Sequence, residues 1–259
     1  DERMGRIISV SNQKGGVGKT TTAINLAASL AVAEKRTLLI DSDPQGNSSS
    51  GVGIDRSKIR EKNLYQAIIG KIPLAETLHV SPLPSLTVIP ATQDLIGVEV
   101  EFVQLPDREQ KLKQLLSGLP DDFEFVIIDC PPSLGFLTIN ALVASDFLII
   151  PLQCEYFAME GLSQLLNTVR LVQNRLNPGL TLSGILLTMF DTRNRLSHRV
   201  EEEVRKYFAG KVFQTIIPRN VRLSESPSHG LPVLLYDITS RGAVSYMELA
   251  REILNNGRG

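Results

Sequence analysis

The sequence has no tryptophan, only two cysteines and three histidines among its 259 residues, and aromatic residues make up 5%. Two cysteines, Cys130 and Cys154, are too few for a disulfide scaffold or for a zinc site built from four thiolates. Both lie in or beside apolar runs, where cysteine usually behaves as a small buried hydrophobic residue. The histidines are scattered without metal-ligand spacing. This usage of cysteine indicates a reducing compartment.

Long apolar runs and an excess of one charge are also missing. No uninterrupted apolar stretch reaches ~18 residues, and no basic-then-apolar leader opens the chain, so membrane spanning and secretion are not expected. The formal net charge is -1, which argues against a protein coated in basic residues. Any contact with nucleic acid must therefore come from a local patch. Residues 1–5 are expected to be disordered or to come from a trimmed or tagged end.

Short apolar runs alternate with longer amphipathic stretches, which is the pattern of βαβ units around a parallel sheet. Most of the apolar runs are continuous, as expected for strands that are buried on both faces. No linker rich in Gly, Ser or Pro divides the chain. We therefore predict an α/β fold: a single domain over residues 1–259, with a doubly wound, mainly parallel sheet and helices on both faces.

The predicted elements alternate along the whole chain. The predicted strands are Ile7–Ser11, Thr37–Asp41, Leu86–Pro90, Phe125–Asp129, Phe147–Leu152, Gly184–Met189 and Val212–Ile217. The predicted helices are Thr20–Ala33, Arg108–Leu116, Thr138–Ala144, Met159–Leu176, Leu196–Phe208 and Ala243–Leu254. Ligands of such sheets bind outside the carboxyl ends of the strands. Motifs at those ends are therefore the candidate functional residues.

A glycine-rich segment, Lys14-Gly-Gly-Val-Gly-Lys-Thr-Thr, separates the first predicted strand from the first predicted helix. Its glycines let the backbone wrap around phosphates with N–H groups turned inward, and the helix N-terminus adds partial positive charge. In such a P-loop, Lys19 reaches the β- and γ-phosphates and the Thr20 hydroxyl coordinates Mg²⁺. The usual spacing would place a glycine at Gln13, and the extra lysine at Lys14 accompanies that departure. The predicted phosphate-binding residues are Lys14, Gly15, Gly16, Val17, Gly18, Lys19, Thr20 and Thr21.

This departure resembles the deviant Walker A motif of the ParA/MinD family of P-loop ATPases. In that family the early lysine reaches across a nucleotide-sandwich dimer to the phosphates of the partner subunit, so the resemblance assigns that role to Lys14. A second cation near the transferring phosphoryl group would act as a lysine version of an arginine finger. The resemblance implies catalytic roles for Lys14 and Lys19, with ATP and Mg²⁺ as cofactors.

Two of the predicted strands end in carboxylates. Thr37–Asp41 leads into Asp41-Ser-Asp-Pro-Gln-Gly-Asn, and two carboxylates two residues apart point the same way if the chain stays extended. The string is similar to the first switch of the family, which implies that Asp43 is catalytic and orients the attacking water. Asp41 would then lie in the outer shell of the metal. Asp129 ends a Walker B pattern and, together with Thr20, is predicted to hold Mg²⁺.

Cys130-Pro-Pro-Ser, which follows Asp129, resembles the second switch of the family. Residues 217–228 are very similar to chromosomal ParA sequences. That resemblance implies that Met189, Pro218 and Asn220 lie around adenine.

Residues 193–222 carry eight basic residues against three glutamates, a local surplus of five. Relatives in the family bind double-stranded DNA without sequence preference through these segments in the ATP-bound homodimer. The matching positions are Arg193 and Arg222, with Arg195, Arg199 and Arg219 as further candidates. The alternative is a solvated helix face with Glu–Arg pairs.

The resemblance covers the chain from Ile7 to about Leu254. It implies a ParA/Soj-type chromosome or plasmid partition ATPase, cytoplasmic and nucleoid-associated. Its slow hydrolysis would be stimulated by a ParB- or Spo0J-type partner.

A P-loop also occurs in three other classes of protein. A membrane-positioning ATPase like MinD uses a basic amphipathic C-terminal helix, whereas Leu249–Gly259 is too short and mixed, so no stable membrane anchor is expected. An iron–sulfur enzyme on this scaffold needs cluster-binding cysteines, and Cys130 and Cys154 form no Cys-x-x-Cys pair. A small-molecule ligase or kinase stays open, because a P-loop does not name an acceptor.

Overall fold

The computed structural model describes residues 5–120 and 122–256, except for the side chain of Asn256. The prediction for residues 1–5 therefore falls mostly outside the described residues. Only Gly5 is described, and its N–H donates to the Phe123 carbonyl (3.0 Å). The strands are β1 (Arg6–Val10), β2 (Thr37–Asp41), β3 (His79–Val80), β4 (Leu86–Ile89), β5 (Phe125–Asp129), β6 (Phe147–Gln153) and β7 (Thr181–Thr188).

Helices connect the strands, and several of them are short. They are α1 (Lys19–Val32), α2 (Asn47–Gly51), α3 (Leu64–Ile68), α4 (Leu95–Glu101), α5 (Lys111–Leu116), α6 (Phe136–Ala144), α7 (Ala158–Arg175), α8 (Arg195–Tyr207), α9 (Val221–Glu225), α10 (Val233–Tyr236) and α11 (Arg241–Asn256). No helix in the described part of the chain combines the length and apolarity needed to cross a membrane.

The strands form one sheet in the order β3-β4-β2-β5-β1-β6-β7. All neighbouring pairs are parallel except the short edge pair of β3 and β4, which is antiparallel. Successive residues of a strand face opposite sides of the sheet, and Ile7 and Ile8 accordingly belong to different hydrophobic clusters. The predicted doubly wound, mainly parallel fold is confirmed.

Helices α1 and α11 pack side by side on one face of the sheet, although they are far apart in sequence. Their apolar residues share one buried cluster with alternate residues of the central strands. The Thr22 hydroxyl and the Tyr246 hydroxyl are hydrogen-bonded at 3.0 Å, and both side chains are fully buried. The first and last helices of the described chain therefore support each other.

The predicted strand Val212–Ile217 is wrong. The segment meets β7 at two separate places: an isolated bridge pairs Val212 with Ile185, and the N–H of Ile217 donates to the Leu187 carbonyl (2.9 Å). Between them, the N–H groups of Gln214 and Thr215 donate to the carboxylate of Glu252, at 2.9 and 3.0 Å, and so leave the strand ladder. The apolar residues of the segment are buried beside β7, and this burial accounts for the hydrophobic pattern.

Short elements between residues 47 and 101 have no counterpart among the predictions. These elements are β3, α2, α3 and α4, and none exceeds seven residues. Segments of this length do not show a full hydrophobic period, so periodicity cannot reveal them.

Gly184 in β7 lies against the ring of Phe213, and this contact gives a test of the packing on that side of the sheet. A Cβ at position 184 would lie 2.6 Å from Phe213 Cε2, and Phe213 is fully buried. We expect Gly184→Ala to lower the free energy of unfolding by about 1–3 kcal/mol, as overpacking does. Guanidinium denaturation measures the change.

Gly161 in α7 provides the matched control, because a Cβ there meets no atom within 4 Å. Gly161→Ala should raise the free energy of unfolding by about 0.5–1 kcal/mol, as expected for alanine in a helix interior. Equal effects of the two substitutions would contradict the described packing.

Candidate active site

The loop between β1 and α1 forms a cradle of backbone N–H groups. Gly16 and Gly18 have φ of 75° and 89°, in the left-handed region that favours glycine. Gly18 caps the N-terminus of α1 without a side-chain hydrogen bond, which leaves the first N–H groups of the helix available. A Cβ on Gly15 or Gly16 would meet no atom within 4 Å, so the concave side of the loop is open.

Two side chains outside the glycine-rich motif hold this loop in place. The Asn12 amide donates to the Pro151 carbonyl (2.8 Å), and its oxygen accepts the N–H of Lys14 (3.0 Å). At the other end of the loop, the Thr188 hydroxyl donates to the Val17 carbonyl at 2.7 Å. The loop is thereby tied to β6 and β7 on the same side of β1.

Lys19 lies at the bottom of the cradle and is almost completely buried. Its ammonium group donates to the Lys14 carbonyl at 2.8 Å, which curls the side chain back over the loop. Burial lowers the pKa of Lys19, while the negative charges of Asp129 and Asp43 act in the opposite direction. The lysine thus has its charge directed into the concave side of the loop.

Asp41 and Asp129 end neighbouring strands and are register partners. Both are fully buried. Asp41 accepts hydrogen bonds from the Ser49 hydroxyl (2.6 Å), the Ser49 N–H (2.8 Å) and the Asp43 N–H (3.2 Å). Burial nevertheless raises the pKa of Asp41 to about 6.

Neither carboxylate oxygen of Asp129 has a hydrogen-bond partner among the described residues. Burial raises the pKa of Asp129 well above its usual range, and the nearby charge of Asp41 raises it further. The hydroxyls of Thr20 and Ser48 oppose this shift. A buried carboxylate with free oxygens, beside a second carboxylate and a hydroxyl, is a set of hard oxygen donors that fits Mg²⁺.

The described residues contain no group of three acidic, histidine or cysteine side chains that could enclose a metal by themselves. This agrees with Mg²⁺, which usually keeps waters and phosphate oxygens and takes only one or two protein carboxylates. Asp43 is close to the same place, and its carboxylate accepts the N–H of Gln45 at 2.9 Å. Asp43 also lines the cavity above the loop.

That cavity has a volume of about 500 Å³ and opens at the carboxyl ends of the strands. It brings together many of the predicted residues: Gly15, Gly16, Gly18, Lys19, Thr20, Thr21, Asp43, Met189, Pro218 and Asn220. Met189 has φ of 47°, an unusual conformation for this residue type. The Asn220 side chain caps α9 by accepting the N–H of Arg222 (3.1 Å). The predicted adenine residues therefore share one cavity with the phosphate loop.

Val17 and Lys14 do not line the cavity. Val17 is buried beneath the loop, and Lys14 forms an ion pair with Glu155, in the segment after β6. Other lining residues were missed by sequence analysis, including Gln45, Asn47, Pro132, Thr188 and Tyr246. Position at a strand end could have indicated Thr188, whereas Tyr246 has no local signal.

Several known proteins are similar to this chain in sequence. A sequence-family profile described as an AAA domain matches residues 5–182. The chain is 58% identical over 251 residues to the Myxococcus xanthus chromosome partitioning protein ParA, covering 97% of this chain and 88% of that protein. This chain belongs to the ParA family of partition ATPases. It is also 55% identical over 254 residues to the Bacillus subtilis sporulation initiation inhibitor protein Soj, covering 98% and 100% of the two chains.

A solved structure of similar fold is the cobyrinic acid a,c-diamide synthase of Mycobacterium smegmatis with bound ADP and magnesium. It superposes with a TM-score of 0.86 at 37% identity, and the match covers 99% of this chain and 96% of that one. That enzyme's name describes a synthase, so the shared fold alone does not select a reaction. Membership of the ParA family rests on the sequence relatives.

The five candidate DNA-binding arginines of this ParA-family chain are all exposed. Arg193 pairs with Asp191, and Arg222 pairs with both Glu225 (2.9 Å) and Asp237 (3.3 Å). In the described part of the chain the other three form no ion pair: Arg195, Arg199 and Arg219. These three arginines are therefore the candidates without an ion pair among the described residues, although the charge of Arg219 also acts on Asp191. DNA contact itself stays a prediction.

The raised pKa values predict how stability without nucleotide depends on pH. A carboxyl group whose pKa is raised by folding keeps its proton at a pH where the unfolded chain has released it. The contribution of Asp41 should therefore lower the free energy of unfolding as pH rises from 3.8 through about 6. Asp129→Asn removes the other buried carboxyl group, whose pKa is also raised by burial, and should therefore raise the free energy of unfolding at pH 8.

Chemical denaturation without Mg²⁺ at pH 5 and pH 8 would measure both effects, and the slope with pH should be shallower in Asp129→Asn. Glu76→Gln, at an exposed position, is the control for loss of one carboxylate. If Asp129→Asn destabilised the protein at pH 8, the carboxylate would not be the unpaired charge described here.

Proposed function

We propose that the chain is an ATP-dependent switch for DNA partition that hydrolyses ATP to ADP and phosphate. The cofactors are ATP and Mg²⁺, in keeping with the ADP and magnesium bound by the related synthase. The observation that carries the proposal is the open phosphate cradle beside Asp129, whose buried carboxylate oxygens have no partner in the described residues. A cavity of this size at the strand ends accommodates the rest of a nucleotide.

The residues of the cradle have distinct proposed roles. The N–H groups of residues 15–21 bind the phosphates, and Lys19 exchanges its bond to the Lys14 carbonyl for the β- and γ-phosphate oxygens. Thr20 and Asp129 hold Mg²⁺, which neutralises charge on the phosphates when bound. Asp41 belongs to the outer shell, because its oxygens already accept three hydrogen bonds.

Asp43 is proposed to orient the attacking water toward the γ-phosphate. Its carboxylate lines the cavity and is held by the Gln45 N–H, which leaves oxygen lone pairs directed into the site. The group is nearly buried, so water bound to it is partly sheltered from bulk solvent. Orientation of the attacking water is one of the recurring protein contributions to hydrolysis in such sites.

Lys14 is proposed to act across a homodimer that forms around ATP. Its side chain lies outside the cavity of its own chain and pairs with Glu155, and both side chains are nearly half exposed. An exposed ion pair of this kind is worth only about 0–1 kcal/mol. Lys14 can therefore exchange Glu155 for the phosphates of a second copy at little cost.

The ATP-bound dimer is proposed to bind double-stranded DNA without sequence preference, through phosphate contacts from the exposed arginines. The chain would accordingly be associated with the nucleoid, and a ParB-type protein would stimulate hydrolysis and so release it. The name of the Myxococcus xanthus relative, a chromosome partitioning protein, supports a role in partition. A DNA titration with ATP, with ADP and without nucleotide tests the whole proposal, and tight binding only with ATP is expected.

Asp43→Ala should separate binding from turnover. The variant should bind ATP and DNA like the wild type, because the cradle and the arginines are unchanged, while hydrolysis falls by about 100-fold or more. Phosphate release and DNA binding measure the two properties. Trapped with ATP, the variant should sediment as a dimer, and adding Lys14→Ala should return it to a monomer. Phosphate release at the wild-type rate would remove Asp43 from the mechanism.

Arg199→Ala tests the exposed arginines of α8. Loss of one phosphate contact should weaken DNA binding and reduce the slope of log affinity against log salt by about 1, with nucleotide affinity unchanged. Arg170→Ala, at an exposed arginine of α7 outside residues 193–222, is the matched control and should leave the slope unchanged. Identical slopes in all three proteins would exclude Arg199 from the DNA contact.

A further inference from the structure

An apolar patch is exposed on α4 and on the turn that follows it. Ile96 and Val100 are 59% and 77% exposed, and Val103 and Leu105 are 57% and 48% exposed. Ile96 and Val100 are four residues apart in the helix and therefore share one face. The opposite face of α4 fills the core beneath it. We call Ile96, Val100, Val103 and Leu105 the α4 surface.

Exposed carboxylates precede α4, lie within it and follow it along the chain. Residues 94–109 contain five acidic residues and one basic residue, Arg108. The guanidinium of Arg108 pairs with Glu109. Among the residues that the structure describes, the remaining four carboxylates form no ion pair: Asp94, Glu99, Glu101 and Asp107. An apolar centre with a negative rim complements a partner that has an apolar stripe and positive flanks.

The α4 surface is connected to the nucleotide cavity through the segment after β5. Phe102, directly after α4, packs edge to face on Phe136, the first residue of α6, with ring centroids 5.7 Å apart. The Glu99 carboxylate lies beside Gly135, where an added Cβ would require this side chain to move. Pro132 of the same segment lines the cavity. An occupant of the α4 surface would therefore lie on a helix whose other residues contact the segment that borders the nucleotide cavity.

We propose that the α4 surface binds a short basic amphipathic helix of a partner protein. Apolar side chains of that helix cover Ile96 and Val100, and its lysine or arginine residues face Glu101 and the other rim carboxylates. The stripe from Ile96 to Val100 spans ~6 Å along the axis of α4, so about two turns of the partner are enough. That this partner alters ATP turnover rests on the function proposed above, whereas the docking itself does not.

A direct binding measurement tests the docking. The probe is a fluorescein-labelled 18-residue helical peptide with a leucine stripe and lysines on its other faces. The control peptide has the same amino-acid composition, but its leucines do not share one face of the helix. Fluorescence anisotropy with the full chain should show the striped peptide binding at least tenfold tighter. Val100→Asp should weaken it at least tenfold, equivalent to about 1.4 kcal/mol.

Matched variants separate the surface from general effects. Val80→Asp changes a valine that is 84% exposed but lies on β3, and it should leave peptide binding unchanged. Glu101→Lys should weaken binding, whereas Glu76→Lys, with the same change of net charge at an exposed position, should not. Equal binding of the two peptides, or equal effects of Val100→Asp and Val80→Asp, would overturn the proposal.

Two further measurements separate the possible occupants. If Val100→Asp removed ATP-dependent dimerisation and left peptide binding intact, the surface would belong to a second copy of the chain and the proposal would be wrong. The effect of the striped peptide on phosphate release is measured in parallel. Absence of any ATP turnover in the wild type would refute the proposed function, while peptide binding sensitive to Val100→Asp would still support the docking surface.

Discussion

The site depends on two buried carboxyl groups at the ends of β2 and β5, whose ionisation is opposed by burial and, for the group that ends β5, also by the charge of its neighbour. Parallel pairing in register places Asp41 beside Asp129, and the core clusters on both faces of the sheet exclude water from them. Three donors satisfy Asp41, but the oxygens of Asp129 have none in the described chain. A cation at this point removes an electrostatic penalty that folding creates. Binding of a cation is favoured to the extent that it offsets the cost of burying these two carboxylates.

Backbone N–H groups, rather than long side chains, form most of the phosphate site. The cradle consists of N–H groups whose direction is set by the left-handed glycines Gly16 and Gly18. Asn12 and Thr188 then tie the two ends of the loop to the neighbouring strands. Because these groups are held before any ligand arrives, little conformational entropy is lost on binding. Preorganised donors of this kind also stabilise charge that develops on transferring phosphoryl oxygens.

The part of the site that could be predicted is the part that is contiguous in sequence. The P-loop and the two acidic strand ends combine a continuous apolar strand with polar residues at a fixed offset, so a short window contains the whole signal. Thr188 and Tyr246 could not be predicted in this way, because they meet the P-loop and α1 from 171 and 224 residues away. Lys14 was predicted from its motif, but its pairing with Glu155 is a tertiary contact that no local pattern contains. The error at Val212–Ile217 has a similar origin, since a distant glutamate takes the N–H groups that a strand would need.

The side-by-side packing of α1 and α11 has a consequence for synthesis of the chain on the ribosome. The helix that begins at Lys19 emerges early, yet the hydroxyl that Thr22 pairs with belongs to Tyr246. Five residues of α11 also join the apolar cluster around α1: Ala243, Tyr246, Leu249, Ala250 and Ile253. A nascent chain therefore exposes part of the apolar side of its phosphate-binding helix until α11 has left the exit tunnel. Chains that stop short of α11 leave a hydrophobic surface that chaperones and proteases can recognise.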